Sequence, residues 1–539
     1  MFSAQAGAAS WQNGATRGND AVEPILTEGE KRDEFLSHLL PQPGCARRWT
    51  GGLGWSPLAT GQPFAERTAG RCVGRAGLQE KNPERTGSMG YCLPPHFRFY
   101  LGHVGDAFFA APQHGRYCGR RPRSYSDRIP INRFVAERPG AMTNITMYPA
   151  RNGDSFLITH DGKDPAAVLV DGGYTSTFRD HLRPDLEKLA ERGRCLDLVV
   201  ATHIDGDHIS GLVDFLRLNG SAALPRIIPV RNVWHNSLRS LTSRSGPAAM
   251  SAGDQDLLVE ILRRGYPQPT VGPPGDQQIG ASQGSSLASI LLAGGYAWNG
   301  RDGSTAIASS PQQTHHVTQS AKITLLGPPP SRLQALSGWW FSELRKLGFA
   351  SAIGSETTFD DAFEFLTAFG DLRAKTAATE ISGKIQIDRE LVDSHLPDDS
   401  VSNGSSISFI LHVGSRRLLF LGDCWAQDAE QSLRPMRRGR ARLMFDAIKI
   451  SHHGSLRSTS QELLELVDSP VYVVSTNGER HYHPDFVVLK AIVDRPSDFV
   501  RIIYFNYSTP SSRQLKAYTS KSGTPFSVRE AAGKCISLP

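Results

Sequence analysis

The sequence predicts an α/β protein, and three observations carry that expectation. Short apolar, β-branched runs recur at the length of buried strands, among them Ala167 to Val170, Leu196 to Ala201, Ser406 to Val413 and Arg417 to Leu421. Segments of helical period, such as Phe178 to Arg192 and Gly211 to Leu218, stand after or between them. Several strands stop at clusters of Asp, His and Gly, the loop positions where α/β layers present ligands.

Composition narrows the function classes. The chain has 539 residues, 39% of them hydrophobic, enough for a sizeable core. No apolar run of about 18 residues occurs, so no membrane-spanning helix is expected. Residues 1–20 lack the basic start and apolar core of a signal peptide. Seven cysteines without a CxxC pair argue against a disulfide framework and point to a reducing, cytoplasmic setting. The net charge of +6 is local: residues 1–141 hold 18 of the 59 basic and 12 of the 53 acidic residues, leaving 41 of each in the remainder.

Residues 1–141 show no lasting periodicity and are rich in Arg, Gly and Pro. They are read as a disordered segment or as upstream sequence wrongly included, with the folded domain covering 142–539. From there, Ile145 to Tyr148 and Ser155 to Thr159 read as strands joined by Arg151-Asn152-Gly153-Asp154, and a third strand ends in Asp171-Gly172-Gly173. The strand at Leu196 then runs into Thr202-His203-Ile204-Asp205-Gly206-Asp207-His208. A tight turn can use one Asp and one Gly, but it has no need of histidines at both ends. Four ligand-type side chains in six residues therefore point to a metal site.

Arg226 to Trp234 reads as the next strand, with His235 at its end as a metal or substrate contact. Residues 237–400 are the least legible and read as an insertion between metal motifs. Within them, Leu257 to Arg264 and Phe359 to Ala374 look helical, Lys322 to Leu326 looks like a strand, and His315-His316 looks like a solvated loop. Beyond lies a hairpin ending in Gly422-Asp423, then a strand, Ala447 to Ile450, ending in Ser451-His452-His453-Gly454-Ser455, then His481-Tyr482-His483-Pro484. Between them, five arginines fall within 434–442, and Arg437 and Arg438 are candidate phosphate contacts.

These motifs resemble those of metallo-β-lactamase-fold hydrolases. The 203–208 segment is similar to the HxHxDH motif in the HxDxDH form of the hydrolase domain of ComEC-like DNA-uptake proteins. The resemblance covers about 144–235 and 403–490. It implies an αββα sandwich, two mixed β-sheets flanked by helices. It also implies two divalent metal ions, zinc or manganese, held by His203, Asp205, Asp207, His208, Asp423 and His452. Asp205 stands where most members have histidine, and a carboxylate shifts preference from zinc toward harder ions. Neighbouring side chains leave an extended chain on opposite sides, so His452 is assigned to metal. His453 is left as second ligand or proton donor, and His483 as a further contact to the scissile group.

The implied activity is a phosphodiesterase or nuclease that uses a metal-bridging hydroxide, with Asp207, His453 and His483 as catalytic residues, on a phosphodiester substrate that includes nucleic acid. Hydrolysis of a carbonyl ester, thioester or lactam is the competing reaction. A binding or effector module without turnover is the competing class.

Overall fold

The computed structural model describes residues 142–242, 246–247, 249–264, 286–310, 314–370, 390–394 and 397–538. The readings made for residues 1–141 and for 371–374 lie outside them. Among the described residues two large sheets form. The first has six strands: β1 (Met142–Met147), β2 (Phe156–Asp161), β3 (Ala166–Val170), β4 (Leu198–Val200), β5 (Val233–Trp234) and a last strand, Cys535–Leu538. The second has eight: β6 (Thr314–His316), β7 (Ala321–Gly327), β8 (Ser408–Val413), β9 (Arg416–Phe420), β10 (Ala447–Lys449), β11 (Val471–Val474), β12 (Arg501–Phe505) and β13 (Phe526–Glu530). Cys535–Leu538 is β14.

Alternation along the strands builds the layers. Phe156, Ile158, Val168 and Val170 face the second sheet, meeting Ile323, Phe409, Leu411 and Phe420 in one apolar cluster. Leu157 and Leu169, on the opposite face, pack against Phe178, Leu182, Leu212 and Phe215. The outer face of the second sheet does the same with Ile410, Leu419 and Ile448 against Leu433, Val488 and Ile492. Helix, sheet, sheet and helix are thus four layers round three apolar clusters, as the sequence resemblance implies.

Both sheets are mixed. The first sheet pairs antiparallel from β14 to β3, then parallel across β3, β4 and β5. The second is antiparallel from β6 to β9 and parallel from β9 through β13. Both parallel halves run their C-terminal ends toward one edge, where the motif loops sit.

Three expectations need correction. The strand expected over 226–234 is reduced to Val233–Trp234, with an isolated bridge from Leu196 to Val230. Proline at 229 has no N–H to give a ladder. The stretch 237–400 is not wholly an insertion, because 314–327 supplies the edge of the second sheet, and His315-His316 belongs to β6 rather than a solvated loop. Its helices, Ala252–Arg264, Leu287–Ala293, Pro330–Lys346 and Thr357–Gly370, pack through Leu258, Leu291, Trp340 and Phe363 on the helical layer of the first sheet. No described helix is long and apolar enough to cross a membrane.

Candidate metal centre

The first half of the site is aimed by Asp171, the residue after β3, which is fully buried and left-handed at φ 57. Its carboxylate accepts the Thr202 N–H and hydroxyl, both at 2.7 Å, and lies 2.9 Å from His208 Nδ1. One side chain therefore fixes the end of β4 and leaves His208 Nε2 facing inward. Helix α1 (Gly206–Asn219) starts inside the motif, with Asp205 at its N-cap and Asp207 in its first turn. Asp205 accepts the Ser402 hydroxyl at 2.6 Å, and its other oxygen stands 3.7 Å from His203 Nε2. Asp207 accepts the Asn152 amide at 2.7 Å. Gly153 is required there, since a Cβ on it would stand 1.8 Å from the Asp207 carbonyl oxygen.

The second sheet supplies the other half. Gly422 turns the chain out of β9 at φ 53, and Asp423 follows, 3% exposed. Its two oxygens do different things. Oδ1 stands 3.5 Å from the Lys449 ammonium, while Oδ2 is ringed by His208 Nε2 at 3.5 Å, His453 Nε2 at 3.5 Å and His452 Nε2 at 3.9 Å.

The convergence of His452 and His453 overturns the argument that neighbours must point apart. Both residues are left-handed, at φ 46 and φ 55, so the chain is not extended and both rings turn to the same carboxylate oxygen. His452 Nδ1 lies 3.1 Å from Asp398 Oδ2 and from Ser458 Oγ, and His453 Nδ1 lies 2.8 Å from the Ser475 carbonyl. His483 is buried beside them, its ring 5.3 Å from that of His452, with Nδ1 3.4 Å from Asp485.

The charges are mutually adjusted. Burial works against protonated imidazole at both His208 and His453, yet Asp423, with Asp171 for His208 and Asp154 for His453, outweighs it. His208 rises well above its ordinary value and His453 is pushed up to about 9. Burial likewise opposes ionisation of Asp423, but the facing histidines and Lys449 hold it well below the carboxylate range. Lys449 forms a fully buried ion pair with Asp154. Burial lowers His483.

A cation suits this donor set. Among the described residues, Nε2 of both His203 and His208 is buried without a hydrogen bond, an arrangement costly unless something else fills the lone pairs. Donors sharing one ion at about 2.0–2.2 Å stand roughly 3–3.5 Å apart. The His208–Asp423 and His453–Asp423 separations of 3.5 Å lie at that spacing. Donor atoms of His203, His208 and Asp423 lie within 4.8 Å of one another, as do those of Asp207, His208 and His453.

Residues 148–280 match the sequence model of the Metallo-beta-lactamase superfamily. That match spans 148–280 of the 539 residues and takes in the 203–208 motif. Enzymes of this superfamily are generally metallo-hydrolases; His203, Asp205, Asp207 and His208 lie inside the matched stretch, and Asp423, His452 and His453 lie beyond it. No curated protein matches the sequence. Among solved structures, the chain is similar to a mutant of CmlA beta-hydroxylase at 12% identity and a TM-score of 0.27, over 75% of this chain. It spans only 54% of that protein's length. It is also similar to the metallo-beta-lactamase fold protein YhfI from Bacillus subtilis, at 10% identity and a TM-score of 0.28, over 74% of this chain and 99% of that one.

Three sequence candidates take no part in this cluster. His235 is fully buried with its ring stacked on Trp298 and Nε2 2.7 Å from Glu364, so it is a core residue rather than a substrate contact. Arg437 folds back on its own loop, donating to the Ala441 carbonyl at 3.0 Å and to that of Arg440, and Arg438 is exposed. Conversely, sequence reading passed over Lys449, Asp398, Asn152 and Ser402. A lysine inside an otherwise apolar strand was the available signal for Lys449. Asp398, reaching His452 across 54 positions, offered none.

Proposed function

We propose that the chain is a metal-dependent phosphodiesterase, with nucleic acid among its substrates. The carrying observation is the convergence of three histidine Nε2 atoms on one oxygen of Asp423, from loops of both sheets, with His203 and Asp207 grouped with those donors and Asp205 3.7 Å from His203. Two divalent ions held by His203, Asp205, Asp207, His208, Asp423 and His452 would lower the pKa of a water and polarise a phosphoryl oxygen. Three carboxylates in that set favour hard ions such as manganese, though imidazole keeps zinc eligible. The resemblance of the HxDxDH and HHGS segments to ComEC-like hydrolase domains supports the phosphodiester choice over a carbonyl one.

The chain's own residues supply the rest. Asp171 and Asp398 orient His208 and His452 through Nδ1, leaving Nε2 as donor. Lys449 neutralises Asp154 and holds Oδ1 of Asp423, which leaves Oδ2 for the cluster. His483, buried with its ring 5.3 Å from that of His452, is the proposed proton donor to a departing alkoxide. His453 shares the Asp423 oxygen and serves as a ligand or a second proton donor.

Metal content of the purified protein, measured by plasma mass spectrometry, is combined with hydrolysis of bis-p-nitrophenyl phosphate, DNA, RNA, a thioester and a β-lactam. Bound manganese or zinc and turnover of the phosphodiesters are expected. Turnover confined to the carbonyl substrates would overturn the phosphodiester assignment.

A further inference from the structure

Two arginines border the cluster without any part in the chemistry above. Arg151 sits in the turn between β1 and β2 at φ 56, a conformation that glycine takes freely and other residues adopt at a cost. The turn cannot slide, because Gly153 presses on the first turn of α1 and the Asp154 N–H meets the Asp207 carbonyl at 3.3 Å. Arg151 is therefore held in fixed register with Asp207. Its N–H donates to the Tyr507 hydroxyl at 3.1 Å, and its guanidinium lies 5.8 Å from the Tyr174 ring centre.

Tyr174 links this cation to the donors. Its hydroxyl donates to Asn152 at 3.0 Å, and Asn152 in turn holds Asp207. Arg480, exposed on the loop that carries His483, faces the same hydroxyl. Two guanidinium groups thus gather round one tyrosine, two hydrogen bonds from Asp207. Asp207 faces the Tyr174 hydroxyl as well, and Glu479, beside Arg480 in sequence, accepts from the Asn477 amide at 2.7 Å and faces Tyr507.

We propose that Arg151 and Arg480 form a contact for a second phosphate of the substrate, one nucleotide from the scissile diester, so that the protein prefers nucleic-acid ends carrying a terminal phosphate. This rests on the phosphodiesterase reading and names the substrate class for the same site. Guanidinium forks suit phosphate oxygens, and a phosphate there would be shared between two cations that the fold presents at the cluster's edge. The unfavourable backbone of Arg151 is then the cost of placing a long cationic side chain where a glycine would otherwise sit.

The test compares thymidylyl-thymidine with its 5′-phosphorylated form as substrates of the manganese-loaded full chain. Calorimetry then compares thymidine 3′,5′-bisphosphate with thymidine 3′-monophosphate as ligands. The wild type is expected to favour the extra phosphate by about tenfold or more in both ratios. Arg151→Gln and Arg480→Gln should each cut the ratios, and the double variant should bring them near one. Arg151→Gly relieves the backbone while removing the charge, so its Tm should hold or rise while its ratios fall. A purely structural role for Arg151 would lower the Tm and leave the ratios intact. Wild-type ratios near one, or ratios unchanged in the double variant, would overturn the inference, and turnover of bis-p-nitrophenyl phosphate would then leave the phosphodiesterase reading standing. If no phosphodiester is turned over, that reading fails, and the calorimetric ratios still decide the arginines' role.

Discussion

Two regions of the first sheet pair a buried histidine with a buried acid, and they do opposite things. At the end of β4, the Nδ1 of His208 is taken by Asp171, while Nε2 looks toward Asp423 with two further histidines. At the end of β5, the neighbouring strand, His235 gives its Nε2 to Glu364, whose carboxylate also accepts the N–H groups of Leu287 and Ala288. The first histidine leaves a lone pair pointing at others of its kind. The second commits its Nε2 to clamping a helix of the 237–400 region to the core, and its Nδ1, also without a hydrogen bond, meets no other candidate ligand in the described clusters. Burial, a strand-end position and an acidic partner are common to both, so none of them marks the reactive region. Convergence of uncommitted donor atoms does.

The sharpest break of this comparison is Asp423→Ala. It should remove bound metal and lower phosphodiester turnover by about a thousandfold or more, since the ions carry several kcal/mol of transition-state stabilisation. Circular dichroism checks that the fold persists. Next is Lys449→Met, which removes the buried ammonium that faces Asp154 and Asp423. Chemical denaturation should show a loss of about 3–5 kcal/mol in the metal-free protein. Asp398→Ala removes the group that orients His452 and should weaken metal affinity by roughly 10–100-fold, read by chelator competition.

Acidity sharpens the contrast further. His208 and His453 hold protons more tightly in the metal-free fold than in the unfolded chain, where 6.5 is the reference. Their contribution to stability is complete below about pH 6.5 and is lost as the pH rises through the folded-state values, for His453 toward about 9. Ion binding requires those same protons to leave. Between pH 6.5 and 9 the Tm of the metal-free protein should fall, and the rise in Tm on adding manganese should grow; a metal-induced rise that shrinks over this range would contradict the assignment. The smallest effect on the cluster belongs to Glu364→Ala. It should cost roughly 1–3 kcal/mol in stability by orphaning His235 and two backbone donors, with metal per chain unaltered.

The same contrast explains what the sequence disclosed. The 203–208 motif, Asp423 and the His452-His453 pair were legible because each crowds ligand-type residues at a strand end, and strand ends can be read from apolar runs. His235 fitted that description equally well, and only its long-range partner, Glu364, separates it from the others. Asp398 and Ser402 were invisible for a related reason: they act through single contacts across 54 and 197 positions, which no local spacing encodes. The left-handed backbone at His452 and His453 was also beyond reach, because positive φ in a histidine pair is dictated by the surrounding fold rather than by local preference. Helix Pro330–Lys346 was missed because the run of prolines before it reads as a stop, although proline is well placed at a helix's first position.

The strand Cys535–Leu538 closes one border of the first sheet by lying against β1, nearly four hundred residues earlier in the chain. A ribosome must therefore add nearly four hundred residues after β1 before that border is covered. During synthesis β1 offers an open row of amide and carbonyl groups to any passing strand, a known invitation to misassembly. Removing Cys535–Leu538 would leave the candidate metal ligands untouched and yet yield a protein that clumps, so failures of expression in versions without this strand would say nothing about the chemistry.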